Sequence, residues 1–123
     1  MLGQVHKTKM RRLSSPNNFE VLVGLDAHEN HNLSSRMKAY DLWFHARDCA
    51  GAHVVLRTGT KGIHVPNEDI EWAAGIAAWF SKKKGDGRVN VTVATGADVT
   101  CIAPKGTVNC TGREFVTVRC QKV

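Results

Sequence analysis

The sequence predicts an α+β domain: a mixed, mostly antiparallel sheet, one long buried helix and one short helix. Three observations predict it. Short runs alternate apolar and polar residues, the period-two pattern of strands, at Asp41–Arg47, Gly51–Arg57, Val89–Val93 and Glu114–Cys120. One long segment, Pro66–Lys84, has helical spacing and is apolar around most of its girth. The chain has 123 residues, 42% of them hydrophobic, which suits a single packed domain. No apolar run is long enough to span a bilayer.

In chain order, Met1–Asn18 has no acidic residue and carries Lys7, Lys9, Arg11 and Arg12. It lacks the apolar core of a secretory leader. A basic flexible arm over residues 1–18, an organelle-targeting remnant and a frayed terminus all fit it, and the single domain is placed at 19–123. Phe19–Val23 is a short strand stopped by Gly24, and Asp26–Asn32 is a polar turn. Leu33–Tyr40 is a short helix with Asn32 as N-cap and Leu33 and Met37 on one face.

The two central strands follow. In the first, Leu42, Phe44 and Ala46 share one side, and Asp41, Trp43, His45 and Arg47 share the other. In the second, Ala52, Val54 and Leu56 oppose His53, Val55 and Arg57. The link at Cys49–Gly51 is short enough for an antiparallel pair. Thr58–His64 is a basic loop containing Lys61. In the long helix, Glu68, Asp69 and Glu71 at the start and Lys82, Lys83 and Lys84 at the end complement the helix dipole, with Gly85 as the stop. Trp72 and Trp79 read as core, and Gly75 permits close approach to a sheet. Val89–Val93, Val99–Ile102 and Glu114–Cys120 are strands, and Pro104-Lys105-Gly106 breaks the sheet.

The net charge is +6, from 17 Lys and Arg against 11 Asp and Glu. That balance favours polyanionic partners, nucleic acid first. Cys49, Cys101, Cys110 and Cys120 contain no C-x-x-C pair and read as reduced cysteines of an intracellular protein. His45, Cys49 and His53 are the one spacing that suggests a metal, and a fourth ligand is lacking. Asp41, His45 and Ser81 are the one hydrolase combination, without a nucleophile elbow. No metal, cofactor or catalytic residue is therefore expected, and a small metal-dependent or acid-base enzyme is the remote alternative.

Several of these segments resemble a known family. They are Met10-Arg11-Arg12-Leu13-Ser14-Ser15, Phe19–Gly24, Asn30 and Leu33, Asp41-Leu42-Trp43-Phe44-His45-Ala46-Arg47-Asp48, Gly51-Ala52-His53-Val54-Val55-Leu56-Arg57, Ala73-Ala74, Ala77-Ala78 and Ser81-Lys82. In that order they are similar to the NFACT-R domain, the RNA-binding module of NFACT proteins, which include ribosome-quality-control factors and proteins named as fibronectin-binding. The likeness covers nearly the whole chain. It departs at Asp26, where the family usually has Asn, at Ile102 and Ala103 in place of basic residues, and at Asn109-Cys110 in place of Pro-Gly.

The resemblance implies a solitary, monomeric, cytoplasmic module (organelle or nucleus being alternatives) that binds structured RNA such as tRNA or ribosomal RNA. Docking on a ribosomal or quality-control protein is the alternative, and no membrane is involved. Arg36, Arg47, Arg57, Lys61, Lys82, Lys83 and Lys84 would meet phosphates. Trp43, His45 and His53 would contact bases or sugars. Asp41 and Asn30 would organise the site, Asp41 by an ion pair between the strands or by accepting from a base edge.

Overall fold

The structure, a computed structural model, describes residues 10–102 and 105–123. Eight strands and two α-helices follow in the order β1 Arg11–Ser14, β2 Glu20–Val23, α1 Ala27–Arg36, β3 Leu42–Ala46, β4 Val54–Arg57, α2 Asn67–Trp79, β5 Val89–Thr95, β6 Val99–Ile102, β7 Thr107–Cys110 and β8 Glu114–Val118. A 3-10 turn, Gly96–Asp98, separates β5 from β6. Six strands form one sheet in the order β1-β2-β4-β3-β5-β8, and β6 and β7 form a separate hairpin. Every strand pairing among the described residues is antiparallel, so the sheet is not mixed.

β3 and β4 lie at the centre of the sheet, paired Leu42 to Leu56 and Phe44 to Val54. Their first face is the main core. Phe44, Ala46, Val54 and Leu56 meet Val21, Val23, Val89 and Val91 from the sheet and Ala73, Ala74, Ile76, Ala77 and Ala78 from α2. The small residues of α2 let its backbone close on the sheet. A Cβ on Gly75 would sit 3.0 Å from the Arg119 carbonyl oxygen and 2.9 Å from the Gln121 Cβ. The Gln121 N–H donates to the Gly75 carbonyl in that close approach.

Three elements differ from the sequence reading. The short helix begins at Ala27, because Asp26 is the N-cap: its Oδ1 accepts from the Glu29 N–H at 2.9 Å, and the Glu29 carboxylate accepts from the Leu25 N–H at 2.7 Å. The pair resembles a capping box, with the Glu29 carboxylate reaching the amide one residue before the N-cap. α2 ends at Trp79, so Lys82, Lys83 and Lys84 lie in the turns that follow and not in its last turn. Ser81 there forms a bridge with Gly51.

The third difference is at the N-terminus, where Arg11–Ser14 is the edge strand of the sheet and not part of an arm. Residues 1–9, the rest of the expected arm, lie outside the described residues, as do Ala103 and Pro104, the latter the first residue of the expected sheet break.

β1 is held by contacts far apart in sequence. The fully buried Asp69 carboxylate accepts from Ser15 Oγ at 2.6 Å, the Asn17 N–H at 2.9 Å and Asn17 Nδ2 at 2.6 Å. Burial by itself would raise the pKa of this carboxyl, but the donors from Ser15 and Asn17 outweigh it and hold the pKa below its ordinary value. Asp69→Ala is expected to cost about 2 kcal/mol in urea unfolding, because it leaves buried donors unpaired. Backbone amides of Arg11–Ser14 should then exchange faster; unchanged exchange there would separate β1 from this anchor.

Candidate nucleic-acid interface

The second face of the sheet carries the polar and aromatic residues that the alternation set opposite the core. Its centre is covered. Leu22, Trp43, Val55 and Ala94 pack with Leu33 of α1 into a second small core, flanked by Met10, Met37, Val99, Val108 and Cys110. α1 and the β6–β7 hairpin form the lid of this core. Trp43 is 3% exposed, so it packs between layers and does not offer a face for stacking a base. This corrects the expected role. An indole on the polar side of a strand suits a second protein layer as well as it suits solvent.

The histidines belong to the same layer. Trp43 and His45 stack with centroids 5.8 Å apart, and His53 stands edge-on to Trp43 at 5.1 Å and to His45 at 5.2 Å. His53 is buried, and its Nδ1 lies 2.8 Å from Ser34 Oγ on α1. Burial, reinforced by the neighbouring His45, lowers the pKa of His53 to about 4 against an opposing backbone hydrogen bond at Asn30. Burial also lowers the pKa of His45, which is half-buried. Both rings are therefore neutral at pH 7 and add no charge to the interface.

Asp41 and Asn30 organise backbone. Asp41 is 2% exposed and makes no ion pair among the described residues. Its carboxylate accepts from the Lys38 N–H at 2.8 Å and the Thr58 N–H at 3.2 Å, which ties the turn before β3 to the end of β4. Asn30 Oδ1 accepts from the His53 N–H at 3.0 Å. Gly24 is packed so closely against Asn30 that any side chain there would collide with it.

Bases remain exposed at the two ends of this covered centre. Arg57, at the end of β4, shares a cleft of about 360 Å³ with Arg36, Lys38 and Arg12. Glu20 accepts from Arg12 at 2.9 Å and from Arg57 at 3.2 Å, holding two guanidinium groups at one rim. Lys61 is exposed in the loop that follows β4. At the opposite end, the Arg47 guanidinium lies 4.1 Å from the centroid of Phe115, a residue 44% exposed, and Arg113 lies 5.9 Å from that ring.

The three lysines diverge in their contacts. Lys83 Nζ donates to the Arg47 carbonyl at 2.8 Å, Lys84 Nζ covers the Trp79 ring at 3.5 Å, and Lys82 is exposed. Arg57 and Arg47 stand at opposite ends of β3, about 20 Å apart at the usual rise per residue. The expected contacts thus form two basic clusters and not one.

Sequence reasoning missed Arg12, Lys38, Arg113 and Phe115 as members of these clusters. Arg12 faces the cleft because it pairs with Leu22, a register visible only once β1 is placed in the sheet. Phe115 is legible by parity: it is out of phase with Val116 and Val118, which pack on the main core.

The other chemistries are not assembled. Among the described residues no three His, Cys, Asp or Glu groups are placed to hold a metal, so His45, Cys49 and His53 do not converge. Asp41 and Ser81 lie toward opposite ends of β3, and Ser81 Oγ donates to the Ala78 carbonyl.

Comparison with known proteins adds a family and several relatives. The family described as the NFACT protein RNA binding domain matches residues 7–116. The Rqc2 homolog RqcH of Bacillus subtilis (strain 168) is 36% identical over 88 residues, covering 70% of this chain and 15% of that protein. The protein of the same name from Streptococcus suis (strain 05ZYH33) is 34% identical over 92 residues, 72% of this chain and 16% of its own length. Among solved structures, the C-terminal part of the fibronectin/fibrinogen-binding protein from Streptococcus suis superposes with a TM-score of 0.85 at 27% identity, covering 98% of this chain and 50% of that one. The chain thus spans about one sixth of these curated relatives.

Proposed function

Because this chain belongs to the family of NFACT protein RNA-binding domains, we propose that it binds structured RNA, such as tRNA or ribosomal RNA, through the two basic clusters at the ends of one sheet face. The family match over residues 7–116 carries the reading. The clustering of Arg36, Lys38 and Arg57 at one end and Arg47, Arg113 and Lys83 at the other supports its location. Arg and Lys at these points meet phosphates, and the bidentate fork of Arg suits a phosphate that must also be positioned. The covered centre between them supplies rigidity, since a layer packed on both sides holds the two clusters at a constant separation. The role is binding, and ribosome quality control is the setting that the family resemblance implies.

Phosphate contact makes a quantitative demand. Affinity for a tRNA, measured by fluorescence anisotropy between 50 and 200 mM salt, is expected to fall with a log–log slope of about −0.7 to −0.9 per phosphate neutralised. Arg36 and Lys38 enter no ion pair among the described residues. Arg36→Ala and Lys38→Ala should each flatten that slope by about one contact and weaken binding without shifting the thermal midpoint. Affinity indifferent to salt would remove RNA phosphates from this face and leave a protein partner as the better occupant.

A further inference from the structure

We infer that the cleft between α1 and the β1–β2–β4 part of the sheet takes a single unpaired nucleotide of the bound RNA, base inward, so that the module distinguishes looped from fully duplex RNA. This rests on the RNA-binding reading above and assigns one cluster a task that phosphate contact alone does not require.

The cleft has a floor and a rim of different chemistry. Leu22, Leu33 and Val55 are buried at its floor, with the partly buried Met37 beside them. Arg36, Arg57 and Lys38 stand around it. A duplex backbone would engage only the rim and leave the partly exposed Met10 and Met37 side chains above that floor uncovered. A flat base can lie against these two methionines, with the Met37 thioether giving an adaptable contact to an aromatic ring. The volume of about 360 Å³ lies at the small end of the range for ligand pockets, the scale of one nucleoside and not of a helix.

Charge in the cleft agrees with an incoming phosphate. Two of its acids, Asp41 and Glu29, are buried with their oxygens turned to the backbone amides of Lys38, Thr58 and Leu25. Glu20 holds Arg57 at the rim before any ligand arrives, which reduces the ordering needed on binding. The opposite cluster lacks these features: Arg47 already covers the exposed aromatic ring there.

The test uses the full chain and two RNAs of equal length, a hairpin with an unpaired loop and a blunt duplex. Asn32 lines the cleft from α1, and Asn32→Trp would fill it. The variant, shown folded by its circular dichroism melt, is expected to lose about tenfold or more in affinity for the hairpin, the size of one stacked base. Its affinity for the duplex should change less than twofold. Independently of any variant, the Met37 methyl resonance of the unmodified protein, assigned with Met37→Leu, should shift with the hairpin and with adenosine 5′-monophosphate but not with the duplex. A hairpin that binds while Met37 stays silent overturns the nucleotide pocket and leaves RNA binding standing. Failure of both RNAs to bind overturns the RNA reading, and the pocket falls with it.

Discussion

Trp43→Ala is expected to destabilise the protein by about 3–5 kcal/mol, the range for removing a large aromatic side chain from a packed interior. The indole is 3% exposed and joins three layers: the sheet, α1 through Leu33, and the β6–β7 hairpin through Val108 and Cys110. Its ring also stacks on His45 and receives the edge of His53. Truncation would leave a cavity that the antiparallel strands on either side cannot collapse to fill.

Trp43→Phe should cost less than half as much. It keeps an aromatic ring in the layer, and it removes a buried Nε1 donor that has no partner among the described residues. Urea titration followed by far-UV circular dichroism would measure both. RNA affinity of the phenylalanine variant should equal that of the parent. A Trp43→Ala protein with an unshifted midpoint and weakened RNA binding would return this residue to the interface.

Stability is expected to fall as pH drops from about 6.5 toward 4, and His53 supplies the largest part. Its folded pKa is about 4, against 6.5 for an unperturbed histidine, because burial and then His45 oppose its charge. Above pH 6.5 neither folded nor unfolded chain holds the proton, and the full stability is present. Between the two values the unfolded chain binds it preferentially, so each step down in pH favours unfolding; below about 4 the dependence on this group ends. A difference of that size corresponds to about 3 kcal/mol across the window. His45, also lowered by burial, acts in the same direction.

Urea midpoints at pH 7 and pH 5 measure most of this effect while avoiding most carboxylate titration. His53→Asn, whose amide can take the place of Nδ1 toward Ser34, should be less stable at pH 7 but show a shallower dependence. An undiminished slope in that variant would assign the effect to another group.

The period-two runs of β3 and β4, and the apolar girth of α2, were legible because strand alternation and helical spacing are local properties of the chain. They placed Leu42, Phe44, Ala46, Val54 and Leu56 on one side and Trp43, His45, His53 and Arg57 on the other, and the main core follows that division. The start of α1 was legible too, in Asp26 and Glu29 three residues apart, although the polar run from 26 to 32 reads as a turn when the capping pair is overlooked. The end of α2 was obscured by Lys82–Lys84. These lysines match the helix dipole, but they follow a chain reversal at Phe80 that pairs Ser81 with Gly51.

By itself the sequence determined the alternation of faces, the α+β class, the family and the basic character of the chain. Only the tertiary structure decided which parts of the polar face meet solvent. Alternation says which side chains point together, but not whether water or a second protein layer lies above them. That depends on α1 and the β6–β7 hairpin folding over Trp43 and His53, and on Ser15 reaching Asp69 across 54 residues. Such contacts depend on how separate elements pack and leave no period in the chain. The polar-aromatic centre therefore became an interior, and the charges at its two ends are the part of that face left open to solvent.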